Sequence, residues 1–599
     1  MSVTKKFPPI KYTSRDFRTI KSDLVEHAKR YYSSTFKDFN EAGFGSLMLD
    51  TVAYVGDILS FYLDYSVNES FLETAVEYEN VLKLGKQLGY KFQGSPAASG
   101  LVTLYIIAPA NESGMGVNTR FLPILRRGSS FASINGAGFV LNEDVNFADP
   151  NNEMVVARVN ETSGAPTFYA IRATGRVISG EFGEEIVEVG DLEKFRRIKL
   201  SSSDITEVLS VVDTDGHSYY EVDYLSQDVV YKIMPQRNSG IENPQSILKP
   251  IVVPRRFIVE RDKSDTFLQF GAGSEGSTIA DPLVDPSKVI ASYHAKDYVL
   301  DSNFDPSNLL GSDKMGISPS NTTLRIIYRK NTSADVNAAT DSITEVVGAS
   351  MIFENESGLD AGTKESVIDS LEVTNNQPIL GDVSFPSIEE LKIRIKDSFA
   401  TQNRAVTSED YKSLIYSMPG ELGSIKRVRV IPDPCSFRRN LNVYVISENT
   451  DGSLIPANAI IKRNLKTWLN RSKMINDTID IYDAKIVNLA IEFVAVSDVG
   501  VNKFEVLQSA IDSLKIFYSK TYDIGEHFSI TDVYNVLNSV PGIADTTKVR
   551  ITKKTGGLYS TTVFDLDSAI SADGRFIDIP KNVIVEIKLP DDDIIGSIK

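Results

Sequence analysis

Between Ser46 and Phe92 the chain reads SLMLDTVAYVGDILSFYLDYSVNESFLETAVEYENVLKLGKQLGYKF, a run too apolar for an ordinary surface helix. From Met48 the positions Val52, Val55, Leu59 and Tyr62 keep a 4-3-4-3 spacing. A second seam, Leu47, Tyr54, Ile58, Phe61 and Tyr65, lies about 100° around the same helix. Together they cover roughly 200° of circumference, about twice the stripe that seats a helix on one core. Such a helix calls for two neighbours. The chain's own helices near 14–31 and 72–88 are expected to cover one seam, leaving the seam of Leu47, Tyr54, Ile58, Phe61 and Tyr65 as a partner interface. Asp50, Asp57 and Asp64, seven residues apart, mark the remaining face and read as a solvated stripe, with a polar docking line for a partner as the alternative.

Upstream, Thr13 or Ser14 can cap a helix whose apolar positions Phe17, Ile20, Leu24, Ala28 and Tyr31 recur at helical spacing. Downstream, a helical run through Val81, Leu82 and Leu84 stops at Gly89, a C-terminal cap. The small-residue stretch GSPAASG, 94–100, is a linker. From about 101 to 330 the period becomes strand-like, with GFVLNEDV, FYAIRATG, EVLSVV, YYEV, VVYKIM and TFLQFG separated by turn residues. Residues 281–320, rich in Pro, Ser, Asp and Asn, are expected to be long surface loops.

The last third repeats itself. Thr407, Asp410, Ser417, Pro419 and Gly420 find Ser529, Asp532, Ser539, Pro541 and Gly542 at a constant offset of 122. In each copy a Ser or Thr stands three residues before an Asp, as in a capping box, and a short helix then ends at Pro-Gly before a strand, KRVRVI or TKVRI. A further helix precedes each copy, near Ile388–Phe399 and Glu505–Tyr518. The second copy has Val533 where the first has Tyr411, and its strand arrives one residue early.

The predicted fold class is therefore multidomain α+β: an N-terminal helical bundle element, β-rich middle domains and duplicated α/β C-terminal domains. The expected boundaries are 1–92 for the helical association region, 93–200 and 201–330 for two β-rich domains, 331–385 for a connecting segment, and 386–500 and 501–599 for the two α/β repeats.

Length agrees, since 599 residues exceed one core and suit three to five domains. The formal charge of −17 argues against electrostatic capture of nucleic acid, because basic residues occur as scattered pairs such as Arg126-Arg127 and Arg438-Arg439. Residues 1–92 hold 12 basic and 12 acidic side chains, so the acidic excess lies beyond them. Cys435, the sole cysteine, excludes an intrachain disulfide and reads as a partly buried thiol. The N-terminus has no apolar signal region, and the aspartates inside 47–63 argue against a membrane span.

Candidate chemistry is sparse. Gly271–Gly276, GAGSEG, matches a dinucleotide-binding pattern, but Pro282 and Pro286 fall where the phosphate-binding helix would begin, so a glycine-rich loop is expected. DTDG at 213–216 lacks the other calcium-loop ligands and reads as a turn. His27, His217, His294 and His527 are in no ligand spacing. Trp468 reads as core. Sequence does not exclude a pair of carboxylates brought together in space for glycoside hydrolysis. No catalytic, cofactor-binding or metal-binding residue is assigned.

The runs DTVAYVGDILSFYLD, NESFLETA and VLKLGKQLGYK, followed by PSNTTLRIIY (Pro319 to Tyr328) and QNRAVTSEDY (Gln402 to Tyr411), resemble the baseplate J-like family, the baseplate wedge proteins of contractile-tailed bacteriophages. The resemblance spans most of the chain. It implies a structural, non-enzymatic wedge subunit that forms the inner baseplate ring and transmits the rearrangement triggering sheath contraction. The implied partners are other copies of itself, a larger baseplate wedge protein joined through the N-terminal helices, and a small lysozyme-like wedge protein. The implied location is the virion tail baseplate, with assembly in the host cytoplasm. The alternatives are a tail-associated glycan-degrading enzyme or a host-binding adhesin.

Overall fold

A computed structural model describes residues 15–32, 43–94, 96–111, 116–162, 164–235, 246–262, 265–274, 315–331, 336–354, 358–381, 385–436, 440–449, 451–519 and 522–599. Thr13, Ser14, His294, Pro282, Pro286 and most of the expected 281–320 loops lie outside them. The fold divides into two compact bodies, one of residues 1–90 with 386–396 and one of 91–385 with 397–599.

The first body is helical. α1 (Phe17–Tyr31), α2 (Phe44–Glu69) and α3 (Tyr78–Gln87) follow one another. The predicted stripe of α1, from Phe17 to Tyr31, is half-buried throughout. The residue at its N-terminal cap is Asp16 rather than Thr13 or Ser14. Glu69 shapes the turn after α2, accepting from the backbone N–H of Val76 at 2.8 Å and from Asn80 Nδ2 at 2.9 Å. α3 ends as expected at Gly89, whose φ is 88°. Gly89 N–H donates to Lys86 O (3.0 Å) and Tyr90 N–H to Gly85 O (2.9 Å), the two bonds of a Schellman motif. Gly85 itself is needed for close packing, since a Cβ there would lie 2.7 Å from Ile395 Cδ1. The core of this body is built from Ala75, Val81, Leu82, Leu391 and Ile395.

The second body begins with β1 (Ser99–Pro109), β2 (Ser130–Ser133), β3 (Gly138–Leu141), β4 (Glu153–Val159) and β5 (Pro166–Ser179), all in one sheet. Val102, Leu104, Ile106 and Ala108 of β1 are fully buried at period two, which fixes the register Ser99↔Ile178 to Pro109↔Phe168 against β5. A second sheet takes β6 (Glu181–Val189), β7 (Arg197–Lys199), β8 (Ile205–Asp213), β9 (Ser218–Glu221), β10 (Arg256–Arg261), β11 (Thr266–Phe270) and β12 (Thr322–Lys330), in the order β6-β12-β8-β9-β10-β11-β7. The PSNTTLRIIY run thus supplies a strand flanked on both sides, with Leu324, Ile326 and Tyr328 turned into the core. The chain then returns to the first sheet with β13 (Ile343–Gly348) and β14 (Glu372–Thr374), which carry the stretch read in sequence as a connection. Between them α4 (Ala361–Asp369) buries Val367 in the same core.

The C-terminal part holds two helix-helix-strand units, as the repeat predicts. The first is α6 (Ser408–Tyr416) and β15 (Arg427–Pro432), preceded in the chain by α5 (Ile388–Thr401), whose residues up to 396 belong to the first body, and completed by β16 (Asn440–Glu448), α7 (Ala459–Leu469) and β17 (Thr478–Asp483). The second is α8 (Lys503–Phe517), α9 (Ile530–Asn538) and β19 (Ile543–Lys554), with β19 antiparallel to β18 (Lys485–Ser497). β20 (Val583–Glu586) and β21 (Ile594–Ile598) extend that sheet in parallel with β18.

Both units cap the second helix alike, Thr407 Oγ1 accepting from Asp410 N–H and Ser529 Oγ from Asp532 N–H, each at 3.2 Å. The reciprocal half of the box, Thr407 N–H donating to Asp410 Oδ2 at 2.8 Å, is described in the first copy. In both units a tyrosine hydroxyl from this helix accepts a backbone N–H of the following strand: Tyr416 from Val428 (3.3 Å) and Tyr534 from Val549 (3.0 Å). The offset between those strand residues is one less than the repeat's 122, matching the early arrival of the second strand. Tyr411, fully buried, donates to Asp477 Oδ2 at 2.7 Å, whereas Val533 in its place is purely apolar core.

Candidate assembly interface

α2 is 26 residues long and runs antiparallel to α1, since Arg15 pairs with Asp64 and Lys21 with Asp50, each at 2.7 Å. The face that meets α1 is the small and acidic one. Ser46 and Ala53 are the two buried residues of α2, and a Cβ on Gly56 would lie 3.3 Å from Ile20 Cδ1. The aspartate stripe read as solvated therefore lies on the side of α2 that meets α1, where Gly56 allows close approach and α1 brings counter-charges to Asp50 and Asp64.

Among the described residues both apolar seams stay largely exposed, not one of them. In the seam expected to meet a partner, Leu47 and Tyr54 are each 59% exposed, Phe61 65% and Tyr65 40%, and Ile58 is half-buried. Met48, Val52, Val55, Leu59 and Tyr62 of the other seam are exposed as well. Phe61 stacks on Tyr65 with ring centroids 6.3 Å apart and meets Tyr62 edge-on at 6.0 Å, so three aromatic rings form one continuous surface. An apolar surface of this extent on a helix is a candidate for association. By length and composition α2 could also cross a bilayer. Its three aspartates, one every second turn, oppose that, since an aspartate at a membrane's centre costs about 2.5–3.5 kcal/mol.

Residues 16–87 match the N-terminal domain of the bacteriophage baseplate protein family. That span contains α1, α2 and α3. Among solved structures, the chain aligns with one from the anti-feeding prophage baseplate at 9% identity and a TM-score of 0.24, covering 94% of this chain and 90% of that one. It aligns with one from the type VI secretion TssK-TssF-TssG baseplate subcomplex at 9% identity and a TM-score of 0.25, covering 74% and 96%. No curated protein matches the chain.

Elsewhere the structure sorts the other candidates. DTDG is the turn between β8 and β9, as expected. It also brings Asp213, Asp215 and His217 within 4.8 Å of one another, a grouping that the spacing of histidines alone does not reveal. The buried Asp213 carboxylate is already occupied, accepting from the N–H groups of Asp215 (3.1 Å) and His217 (2.8 Å) and facing His217 Nδ1 at 3.2 Å. Gly271 and Gly273 belong to a close backbone crossing, where a Cβ on Gly271 would lie 2.0 Å from Gly316 O and Gly273 N–H donates to Gly316 O at 2.9 Å. Cys435 is exposed, contrary to the sequence reading, because it follows the end of β15 in a surface turn anchored by Asp433. Trp468 packs on the first C-terminal core, its indole N–H donating to Leu414 O at 2.8 Å.

Sequence reasoning missed a mixed-charge cluster in the second body. Glu207, Glu221 and Glu421 gather with Arg261 and Arg329, from five separate segments. Burial, then Glu207 and Glu221, push the Glu421 carboxyl up to about 7. A carboxyl so placed is a candidate general acid by its titration. Its strongest charged neighbour, however, is another carboxylate, Glu207. Arg329 Nη2 moreover holds Glu207 Oε2 at 3.0 Å, so the grouping reads as structural.

Proposed function

We propose that this chain is a structural subunit of a contractile-tail baseplate wedge, assembled through the bare seams of α2. The observation that carries the reading is the asymmetry of that helix. Its small, acidic face is closed by α1, while about ten apolar side chains in two seams remain accessible. The match of residues 16–87 to a bacteriophage baseplate N-terminal domain supports the setting. In this reading Leu47, Tyr54, Ile58, Phe61 and Tyr65 meet a larger wedge protein or a second copy of the chain in an intermolecular helical bundle. Further copies and a small lysozyme-like wedge protein complete the contacts of the inner ring, and rearrangement of that ring releases sheath contraction. The mechanism is conformational and needs no chemistry.

The test is mass measurement of the chain co-expressed with the neighbouring tail proteins of its genome. A complex of fixed stoichiometry, lost on deleting residues 1–90, is the expected result. A chain that stays monomeric among all of them, or turns over peptidoglycan or another glycan on its own, would overturn the reading.

A further inference from the structure

The two C-terminal units share a capped helix start, and the second shows what such a start can hold. Residues 575–577 cross the N-terminus of α9. Arg575 O accepts from the N–H groups of Ile530 (2.8 Å) and Thr531 (3.2 Å), the first two helical positions, while Phe576 and Ile577 pair antiparallel with Ser529 and Phe528. The crossing closes over apolar side chains: Phe528 and Ile577 are fully buried, Ile530 is buried with them, and Phe528 stacks on Tyr518 with ring centroids 5.4 Å apart. A helix leaves its first N–H groups without partners, and the Ser529 side chain takes only the third. The crossing segment supplies the acceptor for the other two.

At the repeat's offset of 122 the first unit places Val406, Thr407, Ser408 and Glu409 where the second has Phe528, Ser529, Ile530 and Thr531. Thr407 caps the third N–H in the same way. Among the described residues, however, no acceptor meets the N–H groups of Ser408 and Glu409, and both residues are exposed. The chain's own neighbouring segment stops short. Ser472 O accepts from Ala405 N–H at 2.9 Å and Lys473 bridges Ala405 in parallel, one residue before the position that Ile577 covers in the second unit. Beyond that bridge the two segments carry Val406, 57% exposed, and Met474 and Ile475, 40% and 100% exposed. Apolar side chains thus stand beside two unmatched N–H groups where the second unit holds a carbonyl and an isoleucine.

We infer that the start of α6 is a docking site for an extended segment of another protein chain, which lays a backbone carbonyl on the N–H groups of Ser408 and Glu409 and, two residues later, an apolar side chain on Val406, Met474 and Ile475. The duplicate unit defines this occupant: in Arg575-Phe576-Ile577 the first residue's carbonyl takes the two N–H groups and the third residue stands opposite Phe528. A lone carboxylate or phosphate would satisfy the N–H groups but leave the apolar side chains in water. The N–H groups of Val406 and Thr407 are already taken by Asp410 Oδ2, at 3.1 and 2.8 Å, so the segment crosses the helix start and does not form a ladder along those two residues. The site follows from the repeat alone and is independent of α2 and its seams.

The probe is a fluorescein-labelled peptide with the sequence of residues 572–580, ADGRFIDIP, added to the full chain. Anisotropy should rise saturably, and amide hydrogen exchange of Ser408 and Glu409 should slow in the complex. Ser408→Pro removes one of the two N–H groups at a helix position that suits proline, and should weaken binding about fivefold. Val406→Asp, at an exposed position, should weaken it about tenfold or more. A peptide carrying Ile577→Asp should not bind, and Ile134→Asp, at an exposed apolar residue between β2 and β3, should leave binding at the wild-type level. Absence of saturable binding at millimolar peptide would overturn the inference. So would binding that neither Ser408→Pro nor Val406→Asp weakens, or protection at 528–531 in place of 408–409.

Discussion

Phe61→Asp separates an assembly helix from a core helix. Phe61 is 65% exposed in the isolated chain, so the substitution removes little intramolecular packing, and the variant should keep the wild-type circular dichroism and melting temperature. Association is different. Full burial of a large apolar side chain contributes roughly 1.5–3 kcal/mol, and the exposed seam residues retain about half of that for a partner. Nine such residues therefore represent roughly 7–14 kcal/mol of gross apolar burial before ordering costs. An aspartate at position 61 forfeits the phenyl ring's share and buries an unpaired carboxylate, a penalty of several kcal/mol. A combined cost of about 4–6 kcal/mol weakens association by roughly a thousandfold to ten-thousandfold. Native mass spectrometry of the variant co-expressed with the wedge proteins should show free chain where wild type shows complex. Ile58→Asp, at a half-buried position, should also block assembly while costing some intramolecular stability. If Phe61→Asp unfolds the isolated chain, or enters the complex unchanged, the seam is not the interface.

Gly56→Leu should open the α1–α2 hairpin, because even a Cβ there touches Ile20, and overpacking of this kind costs about 1–3 kcal/mol; faster proteolysis between α1 and α2, with the second body intact, is the readout. Tyr411→Phe removes a 2.7 Å donor from the buried Asp477 and should lower stability by about 1–3 kcal/mol in urea, whereas Val533→Ala at the equivalent place should act as a plain cavity mutation of about 1–3 kcal/mol with no polar component. Thr407→Ala should cost about 1 kcal/mol through loss of the α6 cap, again by urea titration.

Features governed by contacts within a turn or two are legible in the chain itself. The half-buried stripe of α1, the Schellman stop at Gly89, the strand alternation of β1 and β8, and both capped helices of the repeat follow from local periodicity and backbone geometry. The two seams of α2 are equally legible, because an excess of apolar circumference is a property of the helix alone. Which face α1 would take is not. Apolar pattern favours a seam, but steric approach across Ser46, Ala53 and Gly56 and the Lys21–Asp50 and Arg15–Asp64 pairs select the small, acidic side. Likewise, nothing near Ile343 or Glu372 announces that they rejoin a sheet begun at Ser99, and nothing near Glu421 announces Arg329 or Glu207. Those pairings depend on long-range closure, whose energy is a sum over many distant contacts rather than a preference of any one segment. Sequence set the elements and the surplus apolar surface; tertiary packing decided which surface was left over.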